Sequence, residues 1–142
     1  MMNKTNRLYD HNSSRLKIEG YPDQSLGQSS EQIGIVTSWQ LELVGLTSLE
    51  GKRSHLEALM ASVLPYSRYC IAGFVTEIGE ESAPVRITPS DNFHKIILKS
   101  SQEGVKPMTV VIDDAELADL TRCLDDLTED KSVCINWNIP RY

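Results

Sequence analysis

The sequence predicts an α+β fold: antiparallel sheet carrying two amphipathic helices, in the order β-β-β-α-β-β-β-α-β over two similar halves. Three observations predict it. Ile33, Ile35, Thr37, Trp39, Leu41 and Leu43 occupy six successive odd positions, the period of a half-buried strand. Leu56, Leu59, Met60, Val63, Leu64, Cys70, Ile71 and Phe74 recur at helical spacing, and so do Leu117, Leu120, Leu124 and Leu127. Neither kind of element can bury its apolar side alone, so each helix must lie over a sheet.

The elements follow in order. Residues 1–6 are polar and expected to fray, while Leu8 and Tyr9 can begin a strand. Leu16 and Ile18 alternate with Arg15, Lys17 and Glu19, which predicts a second strand. Residues 20–32, with Pro22, Asp23 and Gly27, have loop composition, and the strand of residues 33–43 follows. Gly45 with Thr47 and Ser48 opens a turn into the first helix. Pro65 lies inside that helix and removes an internal donor at a cost of about 3 kcal/mol, so a kink or break is expected there, with unravelling at Gly73.

Residues 77–83 are turn-like. Val85 and Ile87, between Pro84 and Pro89, suit a short strand near a sheet edge. After a turn at Ser90, Asp91 and Asn92, the run Ile96, Ile97 and Leu98 predicts a strand covered on both faces. Residues 102–107 form a loop and residues 108–112 a further strand. Asp113, three residues before Glu116, has the spacing of an acidic cap with a reaching carboxylate at the start of the second helix. Val133, Ile135 and Trp137 alternate with Cys134, Asn136 and Asn138, which predicts a last strand.

A chain of 142 residues suits one domain spanning residues 1–142. With 40% hydrophobic and 24% charged residues it is too apolar for wholesale disorder. No apolar run near the start has the length of a signal-peptide core, and residues 56–75 are interrupted by Glu57, Ser62, Pro65, Ser67 and Arg68. Cys70, Cys123 and Cys134 leave one thiol over under any pairing and sit among apolar residues, so a cytoplasmic setting is expected.

The motifs of dedicated chemistry are missing. There is no Cys-x-x-Cys, no His-Glu-x-x-His, no acidic calcium loop and no glycine-rich phosphate cradle, so neither a metal nor another cofactor is expected. His94 lies on a predicted strand without a carboxylate of distinctive spacing nearby, and an enzyme built around it ranks last among the functional readings. His55 sits beside Lys52, Arg53 and Glu57 and reads as part of a solvated face, while Cys70, flanked by Tyr69, Ile71 and Ala72, reads as a buried thiol.

The charge is uneven. Of the formal net −6, the stretch from Asp113 to Asp130 holds eight acids against Arg122. Asp113 and Asp114 stand at the positive end of the helix dipole, but Asp125, Asp126, Glu129 and Asp130 crowd the end where the dipole disfavours them. A protein partner with a basic surface would explain that placement, and these four residues are the candidate docking site. Arg86, His94, Lys95, Lys99 and Lys106 form a second candidate, a basic stripe across the second sheet with Phe93 or His94 for stacking single-stranded nucleic acid. The order of sheets and helices resembles, in topology only, Whirly and Pur-type single-strand binders. Against that use stands the acidic helix, which opposes a polyanion.

Leu8 and Tyr9, the run from Arg15 to Gly20, the run from Trp39 to Gly45, the EGKRSHLEALM stretch of residues 50–60, Asn92 with Phe93, His94, Lys95 and Ile96, and the helix from Asp114 to Leu127 stand at matched intervals. In these the chain resembles an uncharacterised cyanobacterial family, a domain of unknown function. The resemblance implies a setting, the cytoplasm or thylakoid surface of a photosynthetic bacterium, and no mechanism. The expected function is a non-catalytic protein-interaction or assembly module, with a homodimer through a strand edge or helix face as one form of it. The alternative is a single-strand nucleic-acid binding domain using the second sheet.

Overall fold

A computed structural model of the chain describes residues 4–29, 31–43, 48–71, 84–99 and 107–137. The expected turn at Gly45 and Thr47, the helix end at Gly73 and Phe74, the turn-like residues 77–83, and the loop of residues 102–106 with Lys106 lie outside the described residues.

Strand β1 (Thr5–His11) pairs with β2 (Ser14–Tyr21), β2 with β3 (Ile35–Leu43), and β3 with β4 (Leu49–Gly51), all antiparallel. Helix α1 (Arg53–Ile71) follows. A three-stranded antiparallel sheet is then built from β5 (Val85–Ser90), β6 (Phe93–Leu98) and β7 (Met108–Ile112), and helix α2 (Asp114–Glu129) closes the order β-β-β-β-α-β-β-β-α. Both helices are present where the sequence predicts them. Asp113 caps α2 as expected: its carboxylate accepts the Glu116 N–H at 2.8 Å, and the Glu116 side chain accepts the Asp113 N–H at 3.0 Å. Two-residue turns close the β1-β2 and β5-β6 hairpins, with Asn12 and Asp91 at positive φ, residue types that tolerate it.

Thr5 and Asn6, expected to fray, are instead paired in β1 with Gly20 and Glu19, and the structure departs from the sequence expectation in five further places. First, β4 was expected as part of the approach to the helix; only three residues long, it is too short to show a period of its own. Second, Pro65 does not break α1, which runs through it as one helix. Leu56, Leu59, Met60, Val63, Leu64 and Tyr66 are all buried on the two sides of the proline. At about 1.5–3 kcal/mol for each buried large side chain, their burial outweighs the single defect.

Third, the odd-numbered face of β3 does not extend to Ile35. The pairing register shifts between Glu19 and Gly20, so that Gly20 faces Val36 and Tyr21 faces Ile35. This bulge reverses the parity, turning Val36 inward and leaving Ile35 exposed. Fourth, the outer face of β6 is open: Phe93 is exposed and Ile97 half-buried, because the helices cover only the side carrying His94 and Ile96. Fifth, the expected last strand is reduced to a parallel bridge between Ile33 and Val133. Ile33 donates to Ser132 O and accepts from Cys134 N–H, but the next N–H, that of Gly34, turns to Tyr21 O. The segment therefore meets a single residue of backbone.

One core joins both sheets and both helices. Helix α2 lies mainly against β1 and β2, and α1 lies against β5 as well as β3, so each half's helix covers sheet from the other half. No helix among the described residues is long and apolar enough to cross a membrane.

Candidate functional site

The acidic end of α2 meets β1. Asp130, the C-cap of the helix, accepts bonds from Arg7 Nε and Tyr9 Oη, each at 2.8 Å, and from the Ser132 N–H at 2.9 Å. Burial pulls its carboxyl pKa up, but the bonds from Ser132, Tyr9 and Arg7 outweigh that and hold it below the ordinary value. Asp126 is bonded to His11 Nε2. Two turns earlier, Asp119 is buried and accepts from the Ser13 hydroxyl at 2.6 Å and the Ser13 N–H at 3.2 Å. The Ser13 hydroxyl is the main cause holding Asp119 below its ordinary pKa, against burial. Thus two of the four predicted docking residues, Asp126 and Asp130, are engaged by groups of the chain's own first strand. The unfavourable end of the dipole is answered internally by Arg7 and His11. Asp125 differs: burial raises its carboxyl pKa, Arg68 lowers it, and Glu129 and Asp126 raise it again.

The predicted basic stripe is divided. Arg86 stands opposite Ile97, and Thr88 opposite Lys95, on the outer face of the three-stranded sheet, whereas His94 points inward with Ile96. His94 is buried, which removes it as a stacking residue. The period of two already separates residue 94 from residue 95. Lys99 follows the end of β6, where its N–H bonds Pro84 O, and Lys106 lies outside the described residues.

The carboxylate that sequence spacing does not offer His94 arrives from α2. Asp114 Oδ1 lies 2.6 Å from His94 Nε2, and Tyr66 Oη lies 2.7 Å from Nδ1. A carboxylate can only accept, so Nε2 carries the proton and Tyr66 donates to Nδ1 when the ring is neutral. The Tyr66 and His94 rings meet edge to face, with centroids 5.3 Å apart. Burial pushes the Tyr66 hydroxyl pKa well up, with Cys70 and Asp114 acting the same way. With both ring nitrogens engaged, this constellation ties α1, β6 and α2 together. His55 is half-buried, and its Nδ1 is enclosed without a partner among the described residues.

What remains open is the outer face of the four-stranded sheet. Strand alternation points Asn6, Leu8 and Asp10 of β1, Arg15, Lys17 and Glu19 of β2, Ser38, Gln40 and Glu42 of β3, and Glu50 of β4 to this side. Three adjoining depressions of about 360, 380 and 350 Å³ lie across it. Lys17 and Gln40 line two of them, Glu42 lines two, and Glu50 closes the one beside β4. Arg15 pairs with Asp10 at 2.9 Å and Lys17 with Glu19 at 3.3 Å. The bond from Lys17 is the first cause of the lowered Glu19 pKa. Within the strands four acids stand against two bases, and Lys4, just before β1, also acts on Glu19, so the face is weakly negative, with Glu42 and Glu50 beyond those two ion pairs.

A family described as a domain of unknown function (DUF4335) matches residues 7–141. The chain belongs to that family. No curated protein and no solved structure matches it. The DUF4335 match begins at Arg7, within β1, and takes in all the later strands and both helices. In this DUF4335 domain, sequence alternation marks the polar residues of this face only as the outer half of each strand. The signal was present in the same alternation: Arg15, Lys17 and Glu19 share parity with one another and pair with Glu42, Gln40 and Ser38.

Proposed function

We propose that this chain is a non-catalytic protein-interaction or assembly module of the cyanobacterial cytoplasm or thylakoid surface, docking a partner that presents basic groups to the outer face of the four-stranded sheet. The observation that supports this reading most is the row of three adjoining depressions lined by Lys17, Gln40, Glu42 and Glu50. A concave, polar, negative surface favours a cationic partner and selects against an anionic one. The side chains with chemical capacity elsewhere, His94, His11, Asp119 and Asp130, are held in bonds between elements of the fold.

The test is cross-linking with mass spectrometry in native cells, comparing the natural chain with a Glu42→Lys, Glu50→Lys variant and with an Asp125→Asn, Glu129→Gln variant. Glu42 and Glu50 are exposed, so the first variant is expected to keep its fold, checked by circular dichroism. A partner cross-linked to β2, β3 or β4, and lost only on reversal of Glu42 and Glu50, supports the reading. A partner retained in full by that variant overturns it, and one lost only in the helix variant moves docking to α2.

A second reading, single-strand nucleic-acid binding, has one observation in its favour: Phe93, Lys95 and Arg86 share the outer face of the three-stranded sheet, with Phe93 exposed. A labelled single strand bound at low salt and weakened by Lys95→Glu would favour it, and no binding at low salt would remove it.

A further inference from the structure

Each of the two sheets ends in two edge strands, and three of the four carry features that discourage pairing with another chain. Strand β1 contains Arg7, Asp10 and His11; β4 is three residues long and contains Glu50; β5 contains Arg86 and Pro89. Charge, shortness and proline are the usual protections of a sheet edge. Strand β7 has none of them. Its five residues, Met108, Thr109, Val110, Val111 and Ile112, include no charge and no proline, and three are β-branched aliphatics. Among the described residues no strand pairs with its outer side. Three of the six exposed large apolar side chains among the described residues lie here: Met108 and Val111 are each 45% exposed, and Phe93 on the neighbouring strand is 49% exposed. A row of unpaired backbone groups flanked by exposed apolar side chains is a template for strand addition.

We propose that β7 is a homodimer edge, pairing antiparallel with β7 of a second copy about a two-fold axis at Val110. This deepens the assembly reading given above and rests on it. The axis sets Val110 opposite its mate, Thr109 opposite the mate's Val111, and Met108 opposite the mate's Ile112. Opposed residues share a face, so the buried positions Val110 and Ile112 continue the inner side of the sheet and the exposed Thr109 and Val111 continue the outer. Charge disfavours slips toward the end of the strand, and slips toward its start shorten the five-residue overlap. Asp113 and Asp114 follow the strand directly, and an axis at Val110 holds the two copies' pairs at opposite ends of the ribbon. A slip of the axis to Ile112 brings them toward one another. The product is a six-stranded sheet across the axis, built on an isologous contact that closes at two copies.

The experiment is sedimentation equilibrium of the full chain over a range of micromolar concentrations, with three proteins. The natural chain is expected to dimerise. Thr109→Lys with Val111→Lys places like charges opposite one another twice by symmetry, and is expected to weaken the dimer about tenfold or more. Thr109→Glu with Val111→Lys places opposite charges at the same two pairs and is expected to restore it. Thr109 and Val111 are both exposed, and thermal unfolding of each protein verifies the fold. A natural chain that is monomeric throughout overturns the proposal, as does a dimer indifferent to the two lysines or one lost equally in the glutamate-lysine variant. The docking reading is judged separately: a monomer that still captures a partner through Glu42 and Glu50 removes only the pairing, and a dimer that captures none removes only the docking.

Discussion

Arg7 and Tyr9 converge on one carboxylate oxygen, Oδ2 of Asp130, each at 2.8 Å, although Arg7 precedes Asp130 by 123 positions. The first strand and the last helix are thereby fastened at the point where the helix would otherwise end on an uncompensated negative dipole. Tyr9 is buried, and burial with the Asp130 bond drives its hydroxyl pKa up, so Tyr9 stays a neutral donor.

Replacing Asp130 with alanine keeps the backbone cap bond to Leu127 O but removes the acceptor for Tyr9, Arg7 and Ser132. The expected loss is about 2–3 kcal/mol in urea unfolding, since a hydrogen bond to a charged group contributes about 1.5–3 kcal/mol and the Arg7 share is weakened by solvent. Arg7→Ala, on a half-exposed partner, is expected to cost much less. Equal losses from the two would show that the Tyr9 and Ser132 bonds contribute little.

Acid should unfasten the same clasp. Asp119 and Asp130 both have pKa values below the ordinary carboxylate value in the folded chain. A depressed folded pKa means that their stabilisation is complete above the unfolded value, about 3.9, and is lost as pH falls through the lower folded value. Stability measured against pH is therefore expected to drop below about pH 4, and Asp119→Asn to flatten that limb. Asp125 carries the opposite sign, its pKa being raised, so its ionised form is disfavoured in the fold. Asp125→Asn is expected to leave stability at neutral pH unchanged or slightly higher, and a clear loss would contradict the assignment.

Gly20 sits at the β2-β3 bulge, and a Cβ there would overlap the Ile35 carbonyl oxygen and stand 2.8 Å from Ile33 Cγ2. Since one obstacle is backbone, Gly20→Ala is expected to cost about 3 kcal/mol or more, at the upper end of overpacking effects. Gly27 provides the contrast: its φ of 71° is strained for alanine, but nothing lies within 4 Å of the new methyl. Gly27→Ala is expected to cost only about 1 kcal/mol. Thermal unfolding of the two variants measures the difference.

Tyr66→Phe deletes the donor to His94 Nδ1 inside the core and is expected to cost about 1–3 kcal/mol by leaving a buried acceptor unsatisfied. His94→Leu paired with Tyr66→Phe is expected to recover part of that loss, because removing both polar partners avoids the orphaned group. A double-mutant cycle with no coupling would exclude the bond as a support of the fold.

The sequence alone determined whatever depends on neighbours a few residues apart. The cap at Asp113 and Glu116, the turn at Asp91, the edge position of β5 with Pro84 before it and Pro89 within it, and the apolar stripe of α2 are local, because hydrogen-bond reach and the periods of 2 and 3.6 are local. Tertiary structure decided the rest. Ile33 to Ile35 lost its parity at a bulge opposite Gly20 on another strand, and Val133 to Trp137 is reduced to one bridge with Ile33 because the next N–H, that of Gly34, bonds Tyr21 O. His94 gained Tyr66, and Asp126 and Asp130 gained His11, Arg7 and Tyr9, because α1 and α2 each lie against the other half's sheet, while Asp114 reaches His94 from the start of α2 within the same half. No periodicity in a chain encodes which distant half its helix will cover: that choice is made by the summed burial of both apolar faces, and the charges at their rims find partners afterwards.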